Sequence, residues 1–191
     1  MEKLHPTVIK KNLVVASLFI TAYDLLKASI EDHIKGFLGE VEGFDESGQI
    51  KYKTTDEYRK EILNRDIVEV DNKKSDFQVL YASCLWFQDM GAITEDDVKD
   101  IQAMRKQRNK IAHGLPALLI NEDISIDVGL LVKAQYLMTK VNKWWILNIE
   151  IPISPDFTPD MEIDESDVES PMALILDYFI EIAADELSTG S

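Results

Sequence analysis

The sequence predicts an all-α fold, a helical bundle of about five to six helices with a small loop or hairpin insertion near residues 40–53. Three observations carry this. Apolar residues recur at helical spacing along most of the chain. Helix starts are marked by capping residues. Turn chemistry between two short apolar runs occurs near 40–53.

The first long element is expected from about Asn12 to Leu38. Val15, Leu18, Phe19, Ala22, Leu25, Leu26 and Ile30 recur on one face, and Ser17, Thr21 and Ala28 keep the other side small. Gly36 and Gly39 mark its end. Lys10-Lys11 before the apolar run 13–20 has a superficial likeness to a secretion signal. The amphipathic pattern continues through Asp24, Glu31 and His33, and no small-residue cleavage site follows, so the segment reads as a structural helix. No run reaches the length expected of a membrane span. Asp45-Glu46-Ser47-Gly48, between Val41/Phe44 and Ile50/Tyr52, is a turn signal. A second helix is expected from Thr55 to about Asn64, then a polar connector over 66–74.

Ser75-Asp76-Phe77-Gln78 reads as a capping box. The helix it opens is apolar on most sides (Phe77, Leu80, Tyr81, Cys84, Leu85, Phe87, Met90), hence central, and Gly91 ends it. Thr94 caps the next helix, which has acids in its first turn and bases towards its end, as the helix dipole favours. Gly114 and Pro116 are expected to stop it. Residues 118–126 are expected to be extended, and 127–149 to form a helix ending in Trp144-Trp145. Pro152, Pro155 and Pro159 open an acidic linker. Ser170-Pro171 is a cap followed by a first-turn proline. The final helix, from 172 to about 187, is apolar at Leu174, Ile175, Tyr178, Phe179 and Ile182 and is expected to dock. The parts are thus a helical domain over 1–149, an acidic linker over 150–169 and a docking helix over 170–191, within the same domain or at a dimer contact.

A chain of 191 residues is long enough for a core without covalent staples. The single Cys84 excludes an intrachain disulfide and a cysteine zinc cluster, and makes a reducing cytoplasm the expected compartment. The net charge of −15 is unevenly spread. No Lys or Arg follows Lys143, and 150–186 holds 12 acids, while residues 1–143 carry a net −3. The acidic character that repels nucleic acid therefore belongs to the tail. Between Lys99 and Lys110 the local net charge is +4.

That basic stretch continues as Met104-Arg105-Lys106-Gln107-Arg108-Asn109-Lys110-Ile111-Ala112-His113-Gly114, where one of three histidines meets two arginines and an asparagine. At 100° per residue Arg105, Asn109 and His113 form one stripe. Arg108 lies roughly 140° from His113, among Ile101, Met104, Ala112 and Leu115. An arginine there needs a partner, because an unpaired buried charge is costly. Asp24, Glu31 and Asp32 are candidate partners.

The residue types suit RNA cleavage without metal. Histidine serves as base or acid near neutral pH. Arginine matches the phosphate with a planar fork of donors, and asparagine holds the imidazole or the phosphate. One set is short of a second acid/base group, which a two-fold pairing of motif helices supplies. The plain alternative makes His113 a helix C-cap and Arg108 a structural ion pair.

Arg108-Asn109 followed by Ala112-His113-Gly114 resembles the Arg-x4-His signature of HEPN domains, an all-helical family. The resemblance covers about 10 to 149 and is strongest from Phe77 to Gly114. It implies a homodimer through the motif helix that cleaves single-stranded RNA without metal or cofactor, leaving a 2′,3′-cyclic phosphate. Arg108, His113 and Asn109 are the implied catalytic residues, and Arg105, Lys106 and Lys110 the implied substrate contacts. The family further implies a toxin or anti-phage effector, with an antitoxin or regulatory protein as partner and no membrane. Toxins silenced by tyrosine nucleotidylation carry a tyrosine two residues after the histidine. That position is Leu115 here, so this form of control is not supported. A second likeness, in residues 18–26 and Met90-Gly91-Ala92-Ile93, is to mannitol-repressor-like regulators, which are all-helical and imply no catalysis.

His33 reads as a core or interface histidine and Trp144-Trp145 as packing. No acidic pair has the spacing of a calcium loop or di-metal site. The acidic tail reads first as a solvated linker with a docking helix and second as a surface for a basic partner. Its sharpest reading is a nucleic-acid mimic covering the basic motif helix.

Overall fold

The computed structural model describes residues 6–65, 76–120, 126–155, 157–158 and 163–188. The architecture is all-α with one small hairpin, as the sequence predicts. The elements are α1 (Pro6–Leu38), β1 (Glu40–Phe44), β2 (Ile50–Lys53), α2 (Asp56–Tyr58), a π turn (Arg59–Leu63), α3 (Asp76–Asp89) and α4 (Glu95–Ile120). After these come α5 (Gly129–Trp145), a second π turn (Ile146–Glu150), α6 (Ile151–Ile153), a 3-10 turn (Glu165–Asp167) and α7 (Pro171–Ser188). By compactness the chain forms two units. One comprises Met1–Leu26 with Lys99–Ser191, and the other Lys27–Val98.

The second unit is built on local chemistry. At its start Ile30 and Ile34 of α1 are fully buried. Glu31 is buried beside them, with Lys27 at 3.7 Å and Lys35 at 3.6 Å. Burial pushes the Glu31 carboxyl above its usual range, and the two lysines oppose that only in part. Gly39 ends α1 because a Cβ there would lie 2.5 Å from the Lys35 carbonyl oxygen. The expected insertion is an antiparallel hairpin with a register shift between Val41 and Gly43. The Asp45 carboxylate shapes its turn by accepting from the Ser47 hydroxyl at 2.7 Å and from the Gln49 and Ser47 N–H groups at 2.9 and 2.8 Å, which together hold it below its usual pKa. Gly48 takes the left-handed conformation the turn needs, at φ +81°.

Thr55 caps the second helix by accepting from the Tyr58 N–H at 3.0 Å. That helix widens into a π turn after one turn. The connector 66–74 and the Ser75 cap lie outside the described residues. α3 buries Leu80, Ala82, Cys84, Trp86 and Phe87, whereas Met90, expected on its apolar side, is exposed. The Trp86 ring stacks edge-on against Phe87 at 5.4 Å and tilted against Phe37 at 5.8 Å. Gly91 ends the helix at φ +74°, with Ala92 N–H donating to Phe87 O and Gly91 N–H to Gln88 O.

The first unit carries the candidate site. α1 contributes Val15, Ala16, Phe19, Ala22, Tyr23 and Leu26, all at most 6% exposed. By length and composition α1 suffices to cross a membrane, contrary to expectation. Its buried, helically spaced residues are those of a helix packed in a protein core. α5 buries Leu131, Ala134, Leu137, Met138 and Val141, each larger side chain contributing about 1.5–3 kcal/mol. Trp145 is buried, so that half of the Trp pair packs as expected.

Helicity does not end at the Trp pair, but passes through the second π turn into α6. Pro152, at the second position of α6, forgoes one helical hydrogen bond, and the run ends one residue later at Ile153. The non-helical part of the expected linker therefore begins at Ser154. α7 packs on α5. Ser170 caps it as expected, accepting from the Ala173 N–H at 3.2 Å and the Asn142 Nδ2 at 3.0 Å.

The largest departure from expectation is the end of α4. Neither Gly114 nor Pro116 stops it; the helix runs to Ile120, so residues 118–120 are helical rather than extended. Proline inside a helix removes one donor, here the one that would reach the Ala112 carbonyl, and crowds that oxygen without forbidding further turns. Replacing it should therefore stabilise the chain. Pro116→Ala is expected to raise unfolding stability by about 1–3 kcal/mol in urea titrations. A neutral result would place Pro116 outside the helix.

Candidate functional site

α4 is set at its start by a reciprocal cap. The Thr94 Oγ1 accepts from the Asp97 N–H at 3.2 Å, and the Asp97 carboxylate accepts from the Thr94 N–H at 2.7 Å and its hydroxyl at 2.9 Å. Asp97 is 8% exposed, so this cap is largely shielded from water. Glu95 and Asp96 add negative charge at the same end.

Downstream, Ile101, Met104 and Ile111 are buried and fix the inward side of the helix. Two polar contacts fix its rotation against α5. Gln107 Nε2 donates to the Asp127 carbonyl at 3.2 Å, and its Oε1 accepts from the Asp127 N–H at 3.3 Å. Asp100 pairs with Lys133. No local pattern in the sequence marks Gln107, since its partner lies 20 residues away.

The expected stripe is present. Arg105 and Asn109 are half-buried and His113 is exposed. Lys106 and Lys110 are exposed on the adjoining flank, with Lys99 about two turns before Lys106. The stripe thus presents an imidazole to solvent beside a ridge of ammonium groups, with Asn109 and Arg105 half-buried earlier along it.

Arg108 lies on the inward side, as the wheel predicts, and Asp24 of α1 is its partner. The Nε sits 3.6 Å from the Asp24 Oδ1, close enough for attraction and too far for a hydrogen bond. That Nε is buried and makes no hydrogen bond among the described residues, while about a third (35%) of the side chain stays exposed. Of the other two candidate partners, Glu31 lies with Lys27 and Lys35, and Asp32 with Lys35.

His113 is not at a helix end. Seven residues of α4 follow it, so it does not cap the C-terminus. Ala112, Pro116 and Ala117 around it are exposed as well. A Cβ at Gly114 would meet nothing within 4 Å. A mid-helix glycine costs about 1 kcal/mol relative to alanine, and here the chain's own packing does not require it.

Chemically, one copy offers one imidazole, two guanidiniums, one amide and several ammonium groups. This set can bind a phosphodiester and move one proton, but lacks a second acid/base group for the leaving oxygen. Among the described residues no cluster of three His, Cys, Asp or Glu side chains is placed to hold a metal ion. In the tail, Glu186 pairs with Lys10 at 2.8 Å and the Glu165 carbonyl accepts from Lys143 at 2.9 Å.

These placements predict that the site tolerates truncation. His113→Ala should leave unfolding stability within about 0.5 kcal/mol of the parent. Arg108→Ala should cost about 0–1 kcal/mol, the usual worth of a partly exposed ion pair. Thermal denaturation followed by circular dichroism reads both. A loss of several kcal/mol in either variant would make that residue structural.

Comparison of the chain with protein-family models, with curated proteins and with solved structures finds no match.

Proposed function

We propose that this chain is a homodimeric, metal-independent endoribonuclease of HEPN type. The observation that carries the reading is the solvent-facing His113, held inside a continuous helix beside Asn109, Arg105 and the lysine ridge. An imidazole in the middle of a helix serves neither capping nor core. The idle space at Gly114 supports the same reading, since it leaves room for substrate or a second helix beside the histidine.

In the proposed reaction the 2′-oxygen of single-stranded RNA attacks its own phosphorus, and the P–O5′ bond breaks. One histidine takes the 2′-hydroxyl proton, and the histidine of the second copy donates a proton to the 5′-oxygen. The product is a 2′,3′-cyclic phosphate. Arg108 stabilises the negative charge on the non-bridging oxygens of the phosphorane, which requires its guanidinium to exchange Asp24 for phosphate. The weak 3.6 Å contact favours that exchange. Asn109 orients the reacting groups, while Arg105, Lys106 and Lys110 hold the flanking backbone. A cytoplasmic toxin or anti-phage effector with a neutralising partner is the biological setting that fits such an activity.

One observation favours a second reading. Arg108 already has a partner within its own chain. If that pair is permanent, the fold is a non-catalytic regulatory or protein-interaction module of the mannitol-repressor-like kind.

The two readings separate on RNA. Incubation of the full chain with labelled single-stranded RNA in chelator should give metal-independent cleavage with cyclic phosphate ends. His113→Ala and Arg108→Ala should each lower the rate by about 100-fold or more. Absence of cleavage, or cleavage surviving both substitutions, overturns the nuclease reading in favour of the interaction module.

A further inference from the structure

α7 is apolar on two sides, and only one of them is used. The face that packs carries Ala173, Leu176 and Ala183, each at most 5% exposed. Of the five residues to which the sequence pointed for docking, Phe179 is half-buried, while Leu174, Ile175, Tyr178 and Ile182 stand outside the packed face. They remain between 39% and 65% exposed. Ile175, Tyr178 and Ile182 follow at three and four residues, so they align as one ridge with Leu174 on its margin. A contiguous apolar ridge on a water-soluble surface marks an interaction site more often than not.

The charge beside the ridge specifies what fits. Asp177 and Glu181 stand four apart on one flank, followed at the same spacing by Asp185, and no Lys or Arg occurs in α7 or anywhere after Lys143. A second α7 brings four more acids and no base, so pairing of two copies through this helix sets like charges together. An anionic lipid surface is repelled for the same reason. A helix carrying Lys or Arg beside its own apolar ridge is attracted on both counts.

We propose that the Ile175–Tyr178–Ile182 ridge docks an amphipathic helix of another protein. The partner sets apolar side chains on the ridge and Lys or Arg against Asp177 and Glu181. This does not rest on the nuclease reading.

The test uses the full chain and a fluorescent synthetic peptide with leucines on one helical face and lysines flanking them, read by anisotropy. Saturable binding is expected, weakened by about tenfold or more in Tyr178→Ser/Ile182→Ser. Asp177→Lys/Glu181→Lys should shift preference to a peptide with glutamate in place of lysine. These positions are exposed; should the serine pair unfold, the charge-reversal pair decides. The proposal is overturned if the peptide does not bind, or if a same-composition peptide with dispersed leucines binds equally well. Unchanged affinities in the variants overturn it too. So does concentration-dependent self-association that the serine pair abolishes, which makes the occupant a second copy.

Discussion

The candidate site depends on the continuity of α4. The Thr94–Asp97 cap fixes where the helix begins, and Ile101, Met104 and Ile111 fix which side faces inward. Every later residue then has its direction set by helical geometry alone. Because the helix runs through Gly114 and Pro116 to Ile120, His113 is an interior position whose imidazole has no capping duty. Had the helix stopped at Gly114, the same histidine would sit at the negative end of the dipole and explain itself structurally. The functional reading thus turns on the chain tolerating a proline that removes one hydrogen bond.

Most of the local architecture was legible in the sequence, because its signals are short-range. Thr55, Thr94 and Ser170 cap helices, Asp45 shapes the hairpin turn and Gly91 ends α3, each through contacts within five residues. The stripe of Arg105, Asn109 and His113 followed from spacing, and the inward place of Arg108 from the same wheel. What failed depended on packing. Gly114 and Pro116 are stop signals on average, and nothing local reveals whether the next turn continues. Gln107 reaches Asp127 across 20 residues, a pairing no local pattern announces.

α7 shows a different limit. Its large residues look like a docking face, yet Ala173, Leu176 and Ala183 are what packs. Two alanines let helix backbones approach closely, so the smaller face suits the interior. A helix apolar on both sides carries no local mark of which side its own chain takes. The unused face is then information about something beyond the chain. Along the sequence the acids after Lys143 are likewise separate from the basic stretch of α4, in which Lys106 and Lys110 are exposed.

The central claim is that the chemistry is shared between two copies, because one copy holds a single exposed imidazole on α4. The direct measurement is the RNA cleavage rate per chain as the protein is diluted through its dimer dissociation, with mass followed by sedimentation. The account predicts that rate per chain falls in proportion to the dimer fraction. It also predicts that His113→Ala chains added in excess lower the rate of unsubstituted chains, because a mixed dimer holds one histidine where the reaction needs two. Undiminished cleavage by a chain sedimenting as a monomer would contradict it.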